Sequence, residues 1–486
     1  MINVNYLDLK NNIQKLPIEV KSIIKEFTFF KPKIKEELVK AVDMWDDNKK
    51  KALKQYGHIS NWDTSLIEDM STLFQNFYDF NEDISYWDVS NVILMYYMFK
   101  NCKHFNQPLN NWNVSKVIDM QYMFSACTNF NQPLENWDVS NLEEANNMFN
   151  ECTNFNQPLE KWDVSNVVGM IDMFGYCKSF NQPLNNWNVS NVTKMYDMFH
   201  QCIKFNQPLD KWNVSNVEGM GGMFASCEEF NQPLEKWDVS NVEYMEYMFF
   251  GCEKFNQPLE KWDVSKVEFM QFMFFGCEKF NQPLEKWDVS KVDNMIQMFD
   301  GCKKFNQPLN NWDVSNVSRL GAMFRKCKKF NQPLDKWFFP KVKKLNYMFK
   351  KCKNFDQSLN NWDVSNVSEM FEMFYGCKKF NQSLNNWLVL DQCNCRQMFE
   401  NADLFNINEN AQWYNIENIN SDDSRYDRSR HFIRVYVDSD DEISVVDSSD
   451  DSSVKNDDKK TPYDITNDVD ITNDVDITND VIQLDT

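Results

Sequence analysis

Fourteen cysteines stand in this 486-residue chain, and twelve of them recur every 25 residues from Cys102 to Cys377. Cysteine does chemistry in three ways: it holds metals, pairs into disulfides or attacks as a thiolate. Zinc needs paired ligands roughly two to four residues apart, whereas these thiols stand 25 apart. The close pair Cys393 and Cys395 has no second pair beside it. Stacked thiols reach disulfide distance only in suitable geometry and stay oxidised only in an oxidising compartment. A ladder of buried, reduced thiols is the preferred reading. A second column, Asp88, Asp138, Asp163 and Asp238, offers carboxylates for calcium. Calcium takes about six to eight oxygens from a local loop, and Asn113, Asn188 and Asn213 interrupt the column. A solvated or hydrogen-bonded strand face accounts for it better. The four histidines, His58, His104, His200 and His431, belong to no Ser-His-Asp set, and neither a phosphate loop nor a pair of catalytic carboxylates is evident. The expectation is a protein that is not an enzyme and takes no cofactor and no metal.

What must position such columns is a repeat. Phe recurs every 25 residues from Phe80 to Phe405 and Trp from Trp62 to Trp387, fourteen times each. The shared pattern is F-N-Q-P-L-x-x-W-D-V-S-N-V-x-x-M-x-x-M-F-x-x-C-x-x. One unit of this size cannot bury its own Trp, Met and Phe; stacked units bury them against the same residues of the next turn. The predicted fold is therefore a leucine-rich-repeat-like solenoid of about fourteen 25-residue turns. Trp-x-Val alternates with period two and predicts one short parallel strand per turn. Met-x-x-Met-Phe-x-x-Cys predicts a helical or 3₁₀ turn, and Asn-Gln-Pro a corner between them. The Asn of that corner, as at Asn106, Asn131 and Asn156, is expected to form a ladder whose amides satisfy corner backbone groups. Strands about 4.8 Å apart would make a ladder roughly 65 Å long.

The Met-Phe-x-x-Cys-x-x-Phe and Trp-Asp-Val-Ser-Asn-Val stretches resemble the leucine-rich-repeat-like unit of BspA-type and mycoplasma-lipoprotein-type surface proteins over residues 58 to about 406. The resemblance implies the repeat fold and a role in adhesion or recognition. This chain shows no lipobox cysteine near its start, and its Asn-, Asp-, Lys- and Ile-rich composition is that of an AT-rich genome. Similar intracellular arrays occur in large DNA viruses and protists.

The positions left free by the repeat lie between Val and Cys, and stacking would align them into one stripe. In two successive turns they hold Tyr244, Tyr247 and Phe250, then Phe269, Phe272 and Phe275. This is either added core or an exposed protein-binding patch. Two turns later come Arg319, Arg325, Lys326, Lys328 and Lys329, then Lys343, Lys344, Lys350, Lys351 and Lys353. That is a solvated face, or a dock for an acidic partner or the chain's own tail. Trp337-Phe338-Phe339-Pro340 breaks the pattern there, and a local kink of the ladder is expected.

Three domains are predicted: a helical N-terminal cap over 1–56, the solenoid with a degenerate C-terminal cap over 57–418, and an acidic disordered tail over 419–486. In the first, Pro17 suits a first helical turn, Ile34 to Trp45 reads as a second helical segment, and Gly57 as a stop. Residues 16–27 resemble the opening helix of an F-box, which implies a ubiquitin-ligase adaptor. In the tail, Ile443, Val445 and Val446, and again Val481, Ile482 and Leu484, lie beside acidic residues. Both segments resemble SUMO-interacting motifs, which pair by strand addition.

Charge and hydropathy set the outer limits. Net charge is −21. Residues 421–486 hold 19 acidic and 7 basic side chains, so −12 of that excess lies there. This argues against a nucleic-acid partner, which requires a basic footprint. No apolar run is long enough to span a membrane, and no basic-then-apolar signal opens the chain, so an intracellular location is expected. The partner is expected to be a protein bound through the free slots, with the chain monomeric or weakly self-associating. Structural or adhesive roles at a surface are the alternative.

Overall fold

A computed structural model describes residues 30–414. The sequence 35–56 forms two helices, α1 (Lys35–Asp47) and α2 (Lys49–Tyr56), and a 3₁₀ turn follows over Ile59–Asn61. Leu38, Ala41, Val42 and Trp45 follow helical spacing and are the buried face of α1. Asn48 caps α2, its side chain accepting the Lys51 N–H at 3.0 Å. Gly57 ends it at φ +75°, a backbone position that favours glycine. These elements cover the first turn of the array: Trp45 meets Trp62 edge-on at 6.0 Å, and Phe30 and Tyr56 meet it at 5.2 and 6.1 Å.

From Trp62 onward every repeat lies on the next in register, with one parallel bridge per turn in the series Gly219, Tyr244, Phe269, Asn294. Inside run three aromatic columns. Phe249 lies flat on Phe274 at 5.6 Å, and also packs on Phe255 at 4.2 Å and on Trp262 at 6.3 Å. The inward polar atoms are matched to backbone. Trp237 Nε1 donates to the Leu209 carbonyl at 2.9 Å, and Cys252 Sγ to that of Phe224 at 2.9 Å. At the corner, Asn231 Oδ1 accepts the Asn256 N–H at 2.9 Å, and Gln257 Nε2 donates to the Asn231 carbonyl at 3.0 Å. The Asn ladder therefore forms as the sequence indicates.

Two local expectations are corrected. Trp-x-Val is not a strand, and no strand occurs among the described residues. Trp237 and Val239 are buried and Asp238 exposed. The alternation thus reports burial. The backbone there turns, with the Val242 N–H on the Val239 carbonyl at 2.9 Å and the Ser240 N–H on Asp238 Oδ1 at 3.1 Å. The Met-to-Cys segment is likewise not a helix. The N–H groups of Met245, Tyr247, Phe249 and Gly251 donate to carbonyls 24 residues on, those of Phe269, Gln271, Met273 and Phe275. The residues between, Met248, Phe250 and Cys252, close turns three residues back. Alternating direction requires two left-handed residues per repeat, here Tyr247 at φ 56° and Gly251 at φ 68°.

Where Phe339-Pro340 replaces Val-Ser, Phe339 is buried edge-on against Trp362 at 4.9 Å. The bridge series is interrupted at that place: Asn294 pairs with Arg319 and Lys344 with Glu369, but Arg319 does not pair with Lys344. At the far end, α3 (Ile407–Asn410) carries the chain round so that Trp413 stacks on Trp387 at 6.0 Å and donates to the Leu384 carbonyl at 2.9 Å. Residues 16–27, the tail and its two aliphatic segments lie outside the described residues.

Candidate functional site

The chemistry-bearing columns resolve differently. All twelve cysteines of the column are buried and unpaired, with each thiol 2.8–3.0 Å from a Phe carbonyl. Burial pushes thiols such as Cys252 far up, which leaves them protonated and unreactive. The Asp column is exposed, and each side chain takes the N–H two residues on; Asn113 does the same for Ser115 at 3.2 Å. That shared turn explains why Asp and Asn interchange. Among the described residues no group of three or more His, Cys, Asp or Glu is placed to hold a metal ion.

The free slots form the surface that varies from turn to turn. Left-handed positions 247 and 251 and their neighbours 244, 246 and 250 stack as columns along the array. The six aromatic residues are half-buried, neither core nor fully exposed. They stack in three pairs: Tyr244 on Phe269 at 5.7 Å, Tyr247 on Phe272 at 4.7 Å and Phe250 on Phe275 at 4.7 Å, all within 8° of parallel. Between these columns lie Glu246 Oε2 and Gln271 Oε1, buried acceptors with no hydrogen-bond donor. Burial holds the Glu246 carboxyl above the usual carboxylate range.

Toward the C-terminal end the same columns turn basic. Arg325 Nε bonds buried Asp300 at 2.5 Å, Lys344 pairs with Glu369 at 3.1 Å and Lys350 with Glu372. Lys326 is half-buried, and Lys329, Lys351 and Lys353 are exposed. Lys328 is half-buried between them. Desolvation lowers the Lys326 ammonium pKa, and the charges of Arg325, Lys351 and Lys350 lower it further against the pull of Asp300.

A third cluster has no counterpart in the sequence reading. Asp172 accepts from Asn150 Nδ2 at 2.8 Å, and its Oδ1 is buried without a donor. Burial first, and the charge of Asp197 next, push its pKa up to about 8. His200 lies against the Tyr176 ring at 4.8 Å and is held down to about 4 by burial. No residue type or spacing marks this cluster in the sequence; in the structure Gly175 leaves room for it, since a Cβ there would stand 1.6 Å from Asp172 Oδ1.

These features define a tandem array of 25-residue repeats with one variable stripe. Four overlapping stretches, 42–160, 144–260, 245–350 and 320–436, match the family described as "Mycoplasma protein of unknown function, DUF285", and the chain belongs to that family. No curated protein matches the chain. No helix among the described residues is long and apolar enough to cross a membrane.

Proposed function

We propose that the protein is a non-enzymatic recognition scaffold: a leucine-rich-repeat-like solenoid that binds a protein partner through its variable stripe. The observation that carries this reading is the set of three stacked ring pairs at Tyr244, Tyr247 and Phe250. They are half-buried by their own chain, and a flat aromatic surface is what interface hot spots are built from. The repeat does not need them, since other turns place Gly222, Ala225 or Gln297 at the same positions. The stripe residues vary from turn to turn, while the Asn corner and the Asp column repeat because their side chains bond the backbone.

A comparison of full-length variants tests this. Phe272→Ser with Phe275→Ser removes stripe rings, and Asp263→Ala with Asn231→Ala alters the corner. Proteins captured by the wild-type chain should be lost with the first pair and kept with the second. Equal capture by both would overturn the reading.

A further inference from the structure

The stripe carries a pattern in its order along the array. The bridge series runs Tyr244, Phe269, Asn294, then Arg319, and after the interruption Lys344. The two aromatic turns therefore stand two and one turns before that of Asn294, and the two basic turns stand one and two turns after it. A two-fold axis through the Asn294 turn lays each aromatic turn of one copy on a basic turn of another, twice over. This is the self-complementarity of an isologous contact, in which residue i meets j and j meets i.

The chemistry of the two zones matches. Ring faces attract cations, and this chain already uses that contact in these columns. Lys100 Nζ lies 5.0 and 4.8 Å from the stacked rings of Tyr97 and Tyr122, and Lys350 Nζ lies 5.0 Å from both Tyr347 and Tyr375. The aromatic turns also carry excess acid. Burial raises the pKa of the Glu253 carboxyl, and crowding by Glu278 and Glu228 raises it further. Glu246 Oε2 and Gln271 Oε1 have no donor, and both residues are partly exposed. The basic turns show the mirror condition, with Lys326 crowded by Arg325, Lys350 and Lys351.

Resting on the recognition reading above, we propose that the stripe's partner is a second copy of this chain, antiparallel about the Asn294 turn, with the aromatic and acidic turns of each copy against the basic turns of the other. Five turns span only about 20 Å at the usual ladder spacing. That is short of a standard interface, so the association is weak, with Kd on the order of 10 μM.

Sedimentation of the full-length protein across concentrations bracketing that Kd tests the proposal. A reversible dimer is expected at low salt and should weaken as salt screens the charges. Lys326→Glu with Lys351→Glu, and separately Glu243→Lys with Glu253→Lys, should each weaken self-association at least about tenfold. An equimolar mixture of the two variants should dimerise again, because both contacts then regain opposite charges. Thermal unfolding confirms that each variant is folded, and the mixture guards against a loss caused by misfolding. A wild-type chain that stays monomeric overturns the proposal, as does a dimer indifferent to both reversals or a mixture that stays monomeric. The recognition reading fails separately, only if ring substitutions leave partner capture unchanged.

Discussion

The column Trp and Cys residues have two functions: their carbon surface fills the turn and their polar atom donates to a carbonyl of the turn before, as at Trp237 and Cys252. Cys252→Ala should therefore cost about 1–2 kcal/mol, from a small cavity and the loss of one of two hydrogen bonds on the Phe224 carbonyl, which keeps the Cys227 N–H at 2.9 Å. Phe274→Ala should cost about 3–5 kcal/mol, whereas half-buried Phe272→Ala should cost less than half of that. Denaturant unfolding of the full chain checks both, and equal losses at Phe272 and Phe274 would place the stripe rings in the core. Asp172 gives a pH signature. Its folded pKa, about 8, lies above the ordinary carboxyl value, so the folded state holds a proton that the unfolded state has released. Its contribution is full below the ordinary carboxyl range and declines as pH rises to about 8. His200, depressed to about 4, acts in the opposite sense and only at lower pH. Between neutrality and pH 8 stability should fall in the wild type and flatten in Asp172→Asn; a parallel decline in both would show that Asp172 is ionised. The Asn corner was legible because amides beside a proline have few other roles. The Asp172 cluster was not, because its residues come from three turns and each is unremarkable in its own.

The basic element is a chain of alternating turns, neither strand nor helix. Its positive-φ positions were written in one column, where Asn76, Asn101, Gly251, Gly276, Gly301, Gly376 and Asn401 all fall. Gly and Asn are the residues that enter this region most readily. The signal was masked because Lys326, Glu151 and Tyr176 occupy the same column. Gly276→Val should cost about 1–2 kcal/mol, and Gly276→Asn much less; a valine tolerated as well as asparagine would refute the role of backbone geometry. Trp-x-Val misled because period-two burial and period-two pairing give the same pattern, and only the second makes a strand. The Phe339-Pro340 break was legible because proline cannot donate. Phe339→Val with Pro340→Ser should restore pairing of Arg319 with Lys344 and slow amide exchange at Leu320. Unchanged exchange there would assign the break to another cause.

At the scale of the molecule, stability is a sum of near-identical contacts between neighbours, so the ends matter most. Trp62 shows the cost of being first. Its Nε1 is buried without an acceptor, while Trp87 Nε1 donates to the Ile59 carbonyl at 2.9 Å. At the other end Trp413 closes the column one residue out of phase, 26 after Trp387, which hid it from a strict period of 25. Trp413→Ala should expose Trp387 and loosen the last turns before the rest; hydrogen exchange that accelerates uniformly along the chain would contradict this.

The tryptophan column has an optical consequence. Trp262, Trp287 and Trp312 stand 6.5 Å apart with ring planes within 1° of parallel. At such separations excitation absorbed by one indole passes to its neighbours before it is emitted. Parallel ring planes keep the excitation they pass on polarised within one plane. Light taken up anywhere along the column is thus shared among turns, and a quencher set beside a single indole will darken several.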